Sequence, residues 1–212
     1  MTLATDSLEL ADWRRRISEL YAEVRRVAAT DPLAAHGHWR AERERLYREH
    51  PQSPVPVERR TAFHASHFLY DPALRFELPL LPADEAPQVS HGLTLPSSAG
   101  ASPRFDRIGR VEVPVPGGTR HLSVFWLREY SGGLFLPFAD VTSGRETYGS
   151  GRYVLDGAKG ADLGSGRERG TLVIDFNFSY QPSCAFESQW TCPLAPAENR
   201  LDVEVRAGER IG

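Results

Sequence analysis

The chain changes its hydrophobic period once, at the proline-rich run 51–56 (Pro-Gln-Ser-Pro-Val-Pro), and that switch limits the fold more than any other feature. Before it, apolar residues recur at helical spacing; after it they alternate, with Gly and Pro at short intervals as strand punctuation. The proline run itself reads as a stiff linker. The sequence therefore predicts an α+β protein, mainly β, within a single domain of 212 residues. An N-terminal helical arm of two helices (1–50) precedes an antiparallel β domain (57–212) built as a small barrel or sandwich.

In the arm, Leu10, Trp13, Ile17, Leu20, Val24 and Val27 follow intervals of 3, 4, 3, 4 and 3, the seam of an amphipathic helix over 7–29. Asp6 or Ser7 is the expected cap, and Asp31-Pro32 the stop. The seam is under three heptads long, so it suits packing on the protein's own body, or a homodimer through this helix. A second helix over 32–50 carries the i,i+4 charge pairs Arg40/Glu44, Glu44/Arg48 and Arg45/Glu49. With only Leu33, Trp39, Leu46 and Tyr47 to bury, it is expected on the surface or over an opening. Strands are expected at 75–80, 92–95, 105–115, 120–130, 133–138, 152–155, 171–176 and 201–206. Pro116-Gly-Gly-Thr and Ser131-Gly-Gly would turn 105–138 into a meander.

Two loops concentrate the residues that could carry chemistry. Residues 140–153 (Asp-Val-Thr-Ser-Gly-Arg-Glu-Thr-Tyr-Gly-Ser-Gly-Arg-Tyr) offer a carboxylate, hydroxyls, two Tyr and two Arg. Gly149 and Gly151 have a phosphate-loop look, but no helix pattern follows to supply the dipole such loops use. Residues 175–201 hold too many aromatics for a solvated spacer and too many prolines for a helix, so this loop packs its own side chains. If both line the mouth of the β domain, Asp140, Asp175, Cys184 and Tyr180 are the candidate catalytic groups. Arg152, Asn177, Tyr148, Asn199 and Arg200 are the candidate ligand-binding groups, with Arg152 or Arg200 holding an anion.

Each of these has a plainer reading. Asp140 and Asp175 would cap turns or pair with Arg152 or Arg200, and the Tyr residues would be polar-tipped core aromatics. Cys184 would be a small buried hydrophobe, a nucleophile activated by His64 or His67, or a partner of Cys192 in a reversible disulfide. No cofactor or metal is expected; a zinc set of His64, His67 and Cys184 is the one metal arrangement that merits a test. His36 and His38 lie about 200° apart on their helix and would not share an ion.

The phrases 140–153, Asp-Phe-Asn-x-x-Tyr-x-Pro-x-Cys-Ala-Phe (175–186) and Thr-Cys-Pro-Leu-x-Pro-x-Glu-Asn-Arg-Leu (191–201) resemble the signature of a prokaryotic family known as domain of unknown function 1684. His-Phe-x-Tyr-Asp-Pro (67–72) fits the same resemblance. Phe178-Ser179 stands where the family pattern has Arg-Ala. The resemblance implies that these positions form a signature and implies no reaction.

Composition narrows the classes further. A formal net charge of -3 gives no field to recruit nucleic acid. Lys159 is the single lysine and sits in a Gly-rich stretch, unsuited to a desolvated Schiff-base amine. The opening residues carry Asp6 and Glu9 with no basic-then-apolar run, and no window approaches 18 apolar residues, so neither a secretory leader nor a membrane partner is expected. The expectation is a cytoplasmic protein with a small-molecule partner: a cofactor-independent enzyme, a non-catalytic binder of an anionic or lipophilic ligand, or an interaction protein using its first helix.

Overall fold

The structure, a computed structural model, describes residues 2–82, 93–98, 103–128 and 132–212. The helix α1 (Leu3–Ala28) begins earlier than its hydrophobic seam, because the Thr2 side chain accepts from the Thr5 amide and caps it ahead of Asp6 and Ser7. Its inner face buries Ile17, Leu20, Tyr21 and Val24 in the chain's own core, while Leu3 and Leu8 stay exposed. Asp31 caps α2 (Pro32–Glu49) from its side chain to the Ala34 amide, with Pro32 at the first turn.

The thin apolar face of α2 misleads. Leu33 is exposed, and the helix is instead anchored by Ala35, His36, Trp39, Arg43, Leu46 and Tyr47, all buried. The following proline run is not a free linker: Ser53, Pro54 and Val55 are buried, and the Arg60 guanidinium donates to the carbonyls of His50, Pro51, Ser53 and Val55. Arg60 belongs to the single-turn helix α3 (Val57–Arg60).

The β region comprises β1 (Ser66–His67), β2 (Arg75–Pro79), β3 (Leu93–Thr94), β4 (Arg104–Val115), β5 (Gly118–Leu127), β6 (Leu134–Phe138), β7 (Arg152–Asp156), β8 (Thr171–Asp175) and β9 (Glu209–Arg210). A five-stranded antiparallel sheet runs in the order β3-β4-β5-β6-β7, beside the antiparallel pairs β2-β8 and β1-β9. Single bridges, Leu81 to Arg110 and Tyr153 to Tyr180, join the β2-β8 ribbon to the two sides of the larger sheet. Among the described residues helix and strand take similar shares, the two long helices forming the arm and the antiparallel strands the rest of the fold. Gly117 and Gly118, both at positive φ, make the β4-β5 turn. The second expected turn, 131–133, lies partly outside the described residues.

One expectation fails at the C-terminus. Residues 201–206 are no strand, and the strand there is β9, which pairs with β1. One core of buried residues unites Leu20, Val24, Trp39, Val111, Leu122, Phe138, Ile174 and Phe176, drawn from both helices and from the sheets. Among the described residues no helix is long and apolar enough to cross a membrane.

Candidate functional site

The first signature loop builds a buried latch. Asp140 accepts from the Thr142 hydroxyl at 2.9 Å and from the Val205 amide at 2.7 Å, and lies 3.4 Å from Arg152. Arg152, only 1% exposed, donates to the carbonyls of Val205, Ala207 and Glu209. Its fork meets alternate carbonyls of 205–209 as a neighbouring strand would. Burial lowers Arg152 to about 10 and Asp140 opposes that, so it stays charged at neutral pH. Asn199 is likewise buried, bridging the Ser123 backbone and the Pro137 carbonyl. Arg200 is exposed. Neither Arg152 nor Asn199 presents itself to a ligand.

A second cluster surrounds Asp175 at the end of β8. Its carboxylate caps the turn that follows, accepting from the Asn177 amide at 3.0 Å and side chain at 2.8 Å. Asn177 in turn clasps the backbone of Asp71. Tyr70 donates to the other oxygen at 3.5 Å and Arg75 stands 3.7 Å away. Burial raises Asp175 to about 6, against the bonds from Asn177 and the charge of Arg75. Asp175 and Arg75 border an open cleft of about 770 Å³ between α1 and the β2-β8 ribbon.

The third cluster pairs the cysteines. Both are free and buried. The Cys184 amide donates to Cys192 Sγ at 3.3 Å, and the Tyr148 hydroxyl donates to Cys184 Sγ at 3.7 Å.

Sequence reasoning missed the fourth cluster, where α1 and α2 meet the second loop. Arg43 is buried in an ion pair with Glu209, Nε to Oε1 at 2.6 Å, and its guanidinium lies 4.4 Å from the Tyr47 ring centroid and 4.3 Å from that of Tyr180. The same Glu209 accepts from the Gln181 amide, so one carboxylate ties α2 to the second loop and to β9. The available signal was Trp39-Arg43-Tyr47, a cation between aromatics at i,i+4 on one helix face. Nothing in the sequence marks Glu209.

Beside Arg43 opens a cavity of about 200 Å³. Aromatic walls come from Trp13, Tyr21, Tyr47, Tyr180 and Trp190, and its charged lining is Arg14, Arg43 and Lys159, with no carboxylate. Arg43 and Lys159 have acidic partners, Glu209 and Asp156, that stand outside the lining. The indole nitrogen of Trp190 is buried with no hydrogen-bond partner. Tyr180 reaches Asp156 at 3.3 Å, and Cys192 completes the wall.

The two signature loops touch, through the Tyr153–Tyr180 bridge and Tyr148–Cys184. They do not together line either the cavity under the arm or the cleft by β8. The nine candidate residues divide among separate clusters: of them only Tyr180 lines the cavity under the arm, and only Asp175 borders the cleft by β8. The zinc set is dispersed, because His64 bonds Glu44, His67 packs on His36 and Trp39, and Cys184 faces Tyr148 and Cys192. Among the described residues no three His, Cys, Asp or Glu are grouped to hold a metal ion.

By architecture this is an α+β protein whose helical arm is clasped to antiparallel sheets around an aromatic, cation-lined cavity. The family described as "Protein of unknown function (DUF1684)" matches residues 62–210, and the chain belongs to that family. The chain is also similar to an uncharacterized protein of the archaeon Haloarcula marismortui, known from a solution NMR structure. The two are 32% identical, with a TM-score of 0.58, over 81% of this chain and 90% of that one. No curated protein matches the chain. Both α1 and α2 lie outside the family match, whereas Glu209 and Tyr180, which hold Arg43 of α2, lie inside it.

Proposed function

We propose that the protein binds a small organic anion with a flat apolar body in the cavity between its helical arm and the second signature loop. The observation that carries this reading is the lining: three cations and five aromatic rings converge with no carboxylate among them. Aromatic faces accept a planar apolar body, and guanidinium and ammonium groups accept a carboxylate or similar head. Trp190, one of the lining rings, also carries an indole N–H with no partner within the protein. The volume suits a molecule of about the size of a substituted benzoate. We place this activity in the cytoplasm, where two buried thiols stay reduced.

Turnover of that molecule is the second reading. It is favoured by Cys192 in the cavity wall with Cys184 bonded behind it. The carboxylates Asp140 and Asp175 are not part of the lining, so acid–base catalysis by that pair is not the form it takes.

Thermal melting with small carboxylates and their matched neutral amides tests the proposal. A ligand at about a hundred times its Kd adds ~2.7 kcal/mol, which for a domain of this size raises the melting temperature by about 5–10 °C. Carboxylates should stabilise and amides should not. Mass spectrometry of the recovered ligand then separates a binder, which returns it unchanged, from an enzyme. Equal effects of acid and amide, or none from either, would overturn the anion reading.

A further inference from the structure

Cys184 and Cys192 are the chain's only cysteines, and neither is required by the binding proposed above. They end a proline-bounded loop: Pro182 precedes the single turn that contains Cys184, and Pro193 follows Cys192. Eight residues apart in sequence, they are brought together so that the Cys184 amide donates to Cys192 Sγ at 3.3 Å. Cys184 Sγ also accepts from the Tyr148 hydroxyl at 3.7 Å. Ser98, whose hydroxyl donates to the Trp190 carbonyl, accepts from the Cys192 amide at 2.9 Å and braces the loop.

This setting distinguishes the two sulfurs. The Tyr148 hydroxyl donates to Cys184 Sγ, and the Cys184 thiol is lowered to about 6, first by the bond from Cys192, with Tyr148 and Ser98 adding to the effect and burial opposing it. Cys192 is raised, first by its bond to Cys184 and then by burial. Donors that favour the thiolate mark an attacking cysteine, and a high-pKa thiol beside it suits the partner that closes the disulfide afterwards. Cys184 keeps 9% of its surface accessible against 2% for Cys192, whose side chain lines the cavity, so the more accessible sulfur is the one assigned the attack.

We propose that Cys184 and Cys192 form a redox-active dithiol whose electron acceptor is a low-molecular-weight disulfide. The Cys184 thiolate attacks one sulfur of the acceptor, whose S–S bond breaks and releases one thiol bearing the proton lost by Cys184. A mixed disulfide remains on Cys184. The Cys192 thiol then gives up its proton and attacks Cys184 Sγ, releasing the second thiol. The protein dithiol becomes a disulfide while one acceptor disulfide becomes two thiols, so two electrons and two protons leave the protein. The loop 185–191 between the cysteines contributes Trp190 to the cavity wall, so oxidation would fix that wall covalently.

The test incubates the folded, full-length protein with bis(2-hydroxyethyl) disulfide, followed by alkylation and mass spectrometry. The expected product is a Cys184–Cys192 crosslink lighter by two hydrogens, carrying no adduct and reversed by dithiothreitol. Cys192→Ser should stop with one mercaptoethanol adduct on Cys184, and Cys184→Ser should react at least tenfold more slowly. Circular dichroism identifies variants that remain folded, and the wild-type stoichiometry alone decides the claim if a variant does not fold. Stable adducts on both cysteines of the wild-type protein would overturn the proposal. So would inertness of the folded protein under conditions in which the urea-unfolded protein reacts.

Discussion

The latch around Arg152 and the cavity around Arg43 use the same side chain in opposite ways. Both arginines are buried and each faces a carboxylate, Asp140 or Glu209. Arg152, its side chain fully buried, sits where three backbone carbonyls converge. Arg43 lies between two tyrosine rings at the edge of a cavity that holds further cations. A buried arginine in a dense sequence signature is therefore no guide to a ligand by itself; what matters is whether neighbouring backbone already consumes its donors. In the first signature loop three carbonyls and Asp140 take both terminal nitrogens of the guanidinium, while its Nε has no partner.

The largest expected effect is on the latch. Arg152→Met leaves Asp140 buried without its counter-charge and strips three carbonyls of their donor. Removing one partner of a buried ion pair costs about 3–5 kcal/mol, so the urea midpoint should fall sharply, with ligand affinity unchanged in whatever fraction remains folded. Wild-type stability with lost anion binding would reverse the contrast between the two arginines.

Asp175 sharpens the comparison because it lies at neither place. Its folded pKa is raised to about 6 against an ordinary value of 3.8, so the folded state binds its proton more tightly than the unfolded state does. That contribution is full below pH 3.8 and is lost as pH rises through 6. Asp175→Asn should thus be more stable than wild type above pH 6, by up to about 3 kcal/mol, and the gap should close between pH 6 and pH 4. Urea titrations of both proteins at three pH values read this directly. A gap that widens toward acid would mean that the carboxylate is stabilised by Arg75 rather than strained by burial.

The smallest effects are expected at the cavity. Lys159→Gln, at a half-exposed position, should change stability by no more than ~0.5 kcal/mol and weaken a bound carboxylate about threefold to tenfold, equivalent to roughly 0.7–1.4 kcal/mol. Calorimetric titration measures it. Unchanged affinity would remove Lys159 from the site.

Much of the fold was legible. The β4-β5 hairpin announced itself through alternation on both sides of a Gly-Gly turn, and both helices through period and proline stops. The family membership was legible too, from contiguous phrases in the two loops. The anchoring of α2 was not, because it depends on Arg43 meeting Glu209, 166 positions away, and no local pattern encodes a contact of that range. Residues 201–206 misled for a related reason: Leu201 and Val203 bond the backbone of Ala139 and Val141, and Val205 bonds the side chains of Asp140 and Arg152, partners 53 to 65 positions away that alternation does not reveal. The candidate site residues fall within the family match, yet most are arranged to hold loops together, and the cavity is lined largely by residues the motif does not contain, such as Trp13, Tyr21, Arg43 and Tyr47.

The central claim, that the cavity under the arm takes an organic anion, is tested most directly by the four tryptophan indole N–H resonances of the ¹⁵N-labelled protein during titration with benzoate. Trp190, whose N–H has no partner, should move most, with Trp13 next. Trp126, exposed on β5 and absent from the cavity lining, should hold still. Movement of Trp126 with Trp190 unmoved, or the same response to benzamide as to benzoate, would contradict the claim.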